Sequence, residues 1–591
     1  MTGIENLPPA LPLLAGAIVL PLLPRRARPW VFLAATALAL VLAWTAPDGT
    51  HGVLRSAGLE LVLFRVDALS RVFGVIFAFI ALAGGIYAFH VREAVQPAAA
   101  LFYAGGSLGV VFAGDFYTLL VFWEIMAVAS AVLVWAARTP ESTKAGWRYL
   151  MVHLFGGVLL FAGILMHAAG TGGTAVAAFA PGGASAAAWL ILCGVAVNAA
   201  VPPLHAWLPD AYPRSTVTGS VFLSAFTTKV AVYVLLRVFP GWEILLGLGV
   251  LMAIYGVVYA MLADDIRTIL SYHIISQVGY MLAGAGIGTA LAVNGAAAHA
   301  YNNLLYKTLL FMGAGAVIQA TGKKKLSELG GLARAMPWTV GLYIVGGLSI
   351  SGAPLFNGFI SKSMVIAAAG EAHHDWAVLL LLLASVGTFL SVGLKLPYFA
   401  WFGGGKEAAA PPSPVPRNMT LAMALTAVLC IAHGVVPPLL YRFLPHPVDF
   451  EAYAASHVIE VVEILAFSFA AFWLLRNFLR PKAGVLLDTD WVYRRPGAAA
   501  ARLVVSLNGR FFDATDRAAE RIVEKAVRFS RNPAAALGKL SALPGVSTAG
   551  RGREAAGDFV APGAGRPSTR ILLLLILAVF IVLAFLALLS V

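Results

Sequence analysis

The chain has 591 residues, of which 60% are hydrophobic and only 12% charged, and its mean hydropathy is +0.85. A soluble domain carries about 25% charged residues, so the composition excludes one and identifies an all-α polytopic membrane protein. The net charge of +13 argues for basic cytoplasmic loops rather than for a nucleic-acid partner, because excess Lys and Arg mark the cytoplasmic side of membrane proteins.

Apolar stretches of about 20 residues, enough to span a bilayer, recur to Leu479. Spans are expected to begin near Ala10, Trp30, Ala68, Ala98, Phe116, Tyr149, Ala186, Val217, Glu243, Thr268, Gly295, Trp338, Met364, Trp376, Asn418 and His457, some of them as two halves of one span. No basic region precedes the first apolar run, which reads as a membrane helix and not a cleaved signal. Arg25, Arg26 and Arg28 follow the first helix, Arg92 the third, and Arg138, Lys144 and Arg148 the fifth. Placing those loops in the cytoplasm puts the N-terminus outside.

Ionisable residues interrupt these spans. Glu124 lies in LLVFWEIMAVASAVLVW, Lys229 in VFLSAFTTKVAVYVLL, and Lys362 in APLFNGFISKSMVIAAA. Lys395 lies in FLSVGLKLPYFAW, and His299 and Lys307 lie in AAAHAYNNLLYKTLLFMGAGAVI. A charge at the bilayer centre costs about 3 kcal/mol on insertion scales, and residues that bear the cost usually mark an ion or proton path. A buried carboxylate is pushed toward its neutral form and a nearby lysine restores its charge, which is the chemistry a proton relay needs. Glu124 is otherwise read as half of a structural ion pair. Lys229 and Lys362 are otherwise read as helix-end lysines that snorkel to an interface.

His299, Asn303 and Lys307, spaced i, i+4, i+8, fall along one helix face. They read as a relay, or as interhelical hydrogen-bonding groups. His153 and His273 are secondary candidates that packing also explains. Two stretches carry proline at membrane depth, Asn198-AAVPPLHAWLPDAYPRST and Ile350-SGAPLFNGFISK. Proline breaks a helix, and non-helical backbone survives in a bilayer only inside protein or beside a wet cavity. Their separation of about 150 residues fits two repeats of roughly five helices. His205 in the first break joins a water-filled route or caps a half-helix, and Asp210 caps and orients that segment. Asp115 is expected at a helix start. Asp264, Asp265 and Arg267 are expected as a turn and pairing cluster at an interface. Cys193 and Cys430 are expected to be buried thiols. No nucleotide, flavin, zinc or iron–sulfur motif occurs, so no cofactor and no metal are expected.

After Arg480 the character changes. Residues 503–529 alternate apolar and charged positions at helical spacing, with Phe511, Phe512, Ala518, Ile522, Ala526 and Phe529 on one face. This reads as an amphipathic helix, followed by a linker over 540–569 and a last span over Ile571–Val591.

The elements RVDALSRVFG, FWEIM, PPLHAWLPDAYP, TTKVAVY, DDIRTILSYHIISQVGYM, HAYNNLLYK, GAPLFNGFISK and LDTDWVYRR together resemble the proton-conducting antiporter-like subunits. Mrp-type cation/proton antiporters and the membrane arm of respiratory complex I share these subunits, and the D-type branch of the Mrp-type Na⁺/H⁺ antiporters is the most similar. The resemblance covers roughly residues 60–400. It implies about fourteen core helices arranged as two inverted five-helix repeats, each with a broken helix, and a central chain of buried ionisable residues. It implies that Glu124 pairs with a lysine, that His299 and Lys307 lie on the central relay helix, and that Lys362 lies on the second broken helix. Two positions depart from the family: Asn198 stands where a lysine is usual, and Asn303 where a histidine is common. The tail resembles the lateral-helix arrangement of the longest complex I antiporter-like subunit and is unusual for the D-type branch.

The expected segments are 1–97, N-terminal helices; 98–262 and 263–410, the two repeats; 411–480, C-terminal helices; 481–569, a cytoplasmic amphipathic segment and linker; and 570–591, a final span. The expected function is that of a proton-translocating subunit, not an enzyme, in a multi-subunit Na⁺/H⁺ antiporter. The relay residues would be Glu124, Lys229, His299, Lys307, Lys362 and Lys395, with His153, His205, His273, Asn198 and Asn303 as secondary positions. Partners would be the other membrane subunits, protons, Na⁺ as the exchanged ion, and the lipid of a bacterial inner membrane. The alternatives are a proton-pumping subunit of a complex I-like or hydrogenase-like redox complex, and an energy-coupling subunit of an inorganic carbon transporter.

Overall fold

A computed structural model describes residues 7–531, apart from 57–58, 183–184, 404–411, 483 and 485–486. The linker and last span expected after residue 540 lie outside the described residues. The chain divides into two units, Met1–Leu486 and Leu487–Val591.

The first unit is a bundle of membrane-spanning helices. In chain order these are α1 (Ala10–Leu22), α2 (Arg28–Thr45), α3 (Ala68–Tyr87), α4 (Val95–Phe112), α5 (Phe116–Trp135), α6 (Pro140–Thr171), α7 (Ala186–Asn198) and the short α8 (Trp207–Ala211). Next come α9 (Val217–Ala225), α10 (Thr227–Val238), α11 (Glu243–Leu262), α12 (Ile266–Ile287) and α13 (Ala290–Thr321). Then follow α14 (Pro337–Ser351), α15 (Asn357–Glu371), α16 (Asp375–Thr388), α17 (Arg417–Val435), the short α18 (Pro438–Tyr441) and α19 (Ala455–Leu475). Pairing α7 with α8, α9 with α10 and α14 with α15 as single interrupted spans gives fourteen core spans through α17, with α19 as a fifteenth. The expected starts at Trp338 and Met364 therefore belong to one broken span.

The repeat is written in the caps. Asp115 accepts hydrogen bonds from the Tyr117 and Thr118 amides and starts α5, and Asp265 does the same for α12 through Arg267 and Thr268. Each is followed by a 32-residue helix, α6 or α13, that ends on a left-handed glycine, Gly172 or Gly322. Asp115 bridges to Ala175 and Asp265 to Lys325. Each of these equivalent pairs is 150 positions apart. Five spans separate the two copies, an odd number, so the second is inverted relative to the first. Helices α11 and α12 approach closely at Gly249, Gly256 and Gly279, where an added Cβ would meet the facing backbone; such contacts let membrane helices gain packing that lipid cannot supply.

One element was not expected in an all-α chain. Residues Gly49–Ser56 (β1) and Leu59–Val66 (β2) form an antiparallel hairpin with Leu54 opposite Leu61. LELVLFRV alternates and is too short to span, which favours a strand. Asp115 anchors it, accepting a 2.7 Å hydrogen bond from the Val62 amide. Cys430 is buried as expected, but Cys193 is exposed. It sits on the outward face of α7, and hydropathy does not distinguish a lipid-facing thiol from a core one.

The second unit contains α20 (Asp490–Val492), a π-turn and α21 (Ala498–Arg531). The described side chains of α21 are all exposed, so its apolar positions, including Phe511, Phe512, Ile522 and Phe529, have no cover within the helix itself.

Candidate functional site

The two breaks differ from ordinary loops in the same ways. Each holds a non-glycine residue in the left-handed region, Ala200 (φ 59°) in the first and Leu355 (φ 73°) in the second. Such residues cost about 1 kcal/mol or more and tend to persist where surrounding structure enforces them. Each break also carries a fully buried asparagine, Asn198 or Asn357, whose side-chain oxygen and nitrogen both lack a protein partner. Buried polar groups of that kind are typically served by water.

Asp210 holds the first break in place. Its carboxylate receives a two-point grip from Arg148 of α6 at 2.7 and 3.0 Å, and Arg214 bonds it at 2.5 Å. Asp210 is thus an anchor between α6 and the break, not a simple cap. Arg267 was expected to pair at an interface. Instead it is buried, and its guanidinium donates to the backbone carbonyls of Pro213 and Ser215. The exit from the first break is thereby tied to the start of α12, while Asp264 caps the loop at Ser327 (3.0 Å to the amide, 2.6 Å to the hydroxyl).

In the first repeat, Glu124 is half-buried on α5 and faces α6 at Gly157, where a side chain would strike its carboxylate. Among the described residues no ion pair is made to Glu124. The lysine partner implied by the resemblance is replaced by Asn198, and Lys229 turns elsewhere: its Nζ donates to the Ser224 carbonyl at 2.9 Å, across the α9–α10 junction. Around it runs a neutral network. Tyr149 donates to Ser130 (2.9 Å) and lies 3.3 Å from the Thr227 hydroxyl, which meets Tyr103 at 2.6 Å. His153 stacks on Tyr149 with ring centroids 4.0 Å apart and bonds its carbonyl at 2.8 Å. His205 is buried edge-on to Tyr255 at 4.7 Å.

The second repeat has a denser set, centred on α13. Lys307 is fully buried and donates to the Leu270 carbonyl of α12 at 3.0 Å. One turn away, Asn303 donates to Tyr306 (3.1 Å), and the Tyr306 hydroxyl lies 3.3 Å from both Gln277 and His299 Nε2. His299 Nδ1 meets Ser361 at 3.0 Å. Ser361 precedes Lys362, whose ammonium lies over the Tyr280 ring at 5.2 Å and donates to Ser385 at 3.1 Å. Tyr280 in turn packs against the His299 ring at 5.5 Å. His273 bonds Ser391 at 2.5 Å, and Lys395 donates to the Met261 carbonyl at 2.5 Å near the end of α11.

The arrangement brings together Asn303, His299 and Lys362, with Lys307 one turn from Asn303, while the Lys229 ammonium is bonded to the Ser224 carbonyl. Among the described residues, Glu124 and Lys395 have no direct side-chain hydrogen bond into that set, and His205 packs against Tyr255. Sequence reasoning missed Tyr306, Gln277, Ser361 and Ser385, the neutral links. Tyr149 was findable, because it lies 150 positions before His299, the same spacing that relates the caps.

The sequence profile described as NADH:quinone oxidoreductase/Mrp antiporter, TM, matches residues 113–390. NADH-quinone oxidoreductase subunit N of Desulforudis audaxviator is 31% identical over 412 residues, covering 64% of this chain and 81% of that protein. The D-type subunit of the Na(+)/H(+) antiporter of Alkalihalophilus pseudofirmus is 31% identical over 323 residues, covering 52% of this chain and 65% of that one. Among solved structures, a chain of the membrane-bound sulfane sulfur reductase, an archaeal respiratory membrane complex, matches with a TM-score of 0.70 and 25% identity, covering 82% of this chain and 86% of its own length.

Proposed function

The chain belongs to the NADH:quinone oxidoreductase/Mrp antiporter transmembrane family, and on that premise we propose that it is the proton-translocating subunit of a multi-subunit cation/proton antiporter. The observation that carries this reading is the buried network of α13 and α15, in which hydrogen bonds join Asn303, Tyr306, His299 and Ser361, the Tyr280 ring lies between His299 and Lys362, and Lys307 is one helical turn from Asn303. Lysines 229, 307 and 362 are stations that hold a proton. His299 passes it, because an imidazole accepts at one nitrogen while donating from the other. Charging one lysine disfavours charge on the next, so the stations titrate as a coupled set and a proton entering at one end expels one at the other. Glu124 and Lys395 serve the outer ends, and His153, His205 and His273 line the water-bearing approaches. Residues 98–262 and 263–410 are the two half-paths. The ion exchanged is Na⁺, and the setting is a bacterial plasma membrane among sister subunits.

A second reading, a proton-pumping membrane subunit of a redox complex, is favoured by the likeness to the chain of the archaeal respiratory complex. Vesicles containing the complete complex separate the two. The antiporter reading expects Na⁺-driven proton flux without any electron donor, with Lys362→Ala losing it at normal expression. Flux that appears only when a donor is supplied assigns the chain to the redox class. Normal flux in Lys362→Ala refutes the relay.

A further inference from the structure

Lys362 has two sides. One faces His299 through Ser361 and Tyr280. The other opens on a cavity of about 280 Å³ that separates α15 and α16 from α19. The inner wall of the cavity includes Ser351, Lys362 and Ser385, and its α19 wall includes His457 and Glu460. Lys362 itself is 4% exposed. The cavity therefore places that ammonium and the Glu460 carboxylate on the walls of one space.

Glu460 is the residue that needs explaining. It is exposed in the second turn of α19, a 21-residue apolar helix that is mostly uncovered by the rest of the bundle. A carboxylate on such a helix costs free energy unless it serves water, a partner or a path. Glu463, one turn further along the same helix, does not line the cavity, so the two carboxylates give a built-in comparison. His457, one turn before Glu460, packs its ring edge-on to Phe359 of α15 at 5.0 Å, which fixes α19 against the Lys362 helix.

We propose that Glu460 is the outer station of a lateral portal, taking the proton that Lys362 releases and passing it to the aqueous phase beside α19. This rests on the reading of Lys362 as a relay lysine. The cavity exceeds the volume of several waters at about 30 Å³ each, and within a largely apolar lining the serine hydroxyls, His457 and the two charged groups supply the polar partners. In the step, an N–H bond of the Lys362 ammonium breaks and its proton moves along the water chain. The Glu460 carboxylate gains it and becomes a carboxylic acid. Lys362, now a neutral amine, is recharged from the His299 side, and Glu460 returns to carboxylate by releasing its proton outward. No other reactant is required.

The test uses the complete complex in vesicles and reads proton flux. Glu460→Gln is expected to lower flux by about 100-fold, the scale on which a lost proton acceptor is felt. Glu460→Asp should retain most of the flux, and Glu463→Gln should match wild type. Glu460→Cys in a Cys193→Ser background, the buried Cys430 being left in place, should regain flux with a methanethiosulfonate that adds a carboxylate and not with one that adds a quaternary ammonium. Normal flux in Glu460→Gln, or an equal fall in Glu463→Gln, overturns the portal while leaving the relay standing. Normal flux in Lys362→Ala overturns the relay reading and the portal with it.

Discussion

At the scale of single residues the chain spends its charge unevenly. Lys362 is supported by one hydroxyl, from Ser385, and one aromatic face, from Tyr280. Neither carries a negative charge, so the described contacts of Lys362 give it no counter-ion. Ser385→Ala removes the hydrogen bond and leaves the ring contact. The expected outcome is a several-fold fall in flux with normal membrane expression, smaller than the near-complete loss in Lys362→Ala, and vesicle assays of the two side by side check it. Asp210 has the opposite role. It is 2% exposed and held by Arg148 and Arg214, so it anchors backbone. Asp210→Asn keeps the shape and loses the charge-assisted bonds, and should destabilise the bundle by about 1–3 kcal/mol. Thermal unfolding in detergent would read that as a lowered midpoint, and an unchanged midpoint would refute the anchor role.

Titratable residues stand out in an apolar sequence, which is why the lysines, Glu124 and the histidines were legible there. The groups that connect them were not. Serine, threonine and tyrosine are common in membrane helices and carry no charge to flag them, so Ser361, Ser385, Thr227 and Tyr306 emerge only once the helices are packed. Asn198 shows what sequence can yield and where it stops: its departure from the family's lysine is visible in the chain, but its unpartnered amide and the turning of Lys229 toward Ser224 are facts of packing.

At the scale of elements, prolines and glycines gave the two breaks, and hydropathy gave the spans. The polar α12 carries Arg267, His273 and Gln277 and falls below the apolarity of the other long spans, yet it was located because its flanks were clear. The hairpin escaped because a search for 20-residue apolar stretches passes over two eight-residue strands. The α5–α6 contact yields a prediction of its own. Gly157 leaves the space that the Glu124 carboxylate occupies. Gly157→Ala is expected to push that carboxylate aside and reduce flux to about the level of Glu124→Gln, with little added loss when the two changes are combined. Losses that multiply would mean the two positions act independently, against the packing of α5 on α6.

At the scale of the whole molecule the two repeats share a skeleton and not a chemistry. Positions 150 apart are Tyr149 and His299, His153 and Asn303, and Gly157 and Lys307, so the central lysine and histidine of the second repeat correspond to a glycine and a tyrosine in the first. Glu124 corresponds to Ile274. The first repeat contributes Glu124, a neutral hydroxyl network and Lys229, its buried Asp115 and Asp210 being tied up in backbone and arginine bonds, while the second holds a linked run from Asn303 to Lys362 with Lys307 one turn away. Equal half-channels would require comparable stations in each, and the fold does not provide them. The burden of transport is therefore expected to fall on the second repeat. Lys307→Met should lower flux by about 100-fold or more, whereas Glu124→Gln should lower it only several-fold, because Glu124 has no lysine whose charge it controls. Introducing the missing lysine as Asn198→Lys should raise the contribution of Glu124, so that Glu124→Gln costs more in that background than in the wild-type chain. A double-mutant cycle on flux measures this coupling directly. Additive effects of the two changes would show that the first repeat has no latent charge pair to complete, and that its asymmetry extends beyond a single side chain.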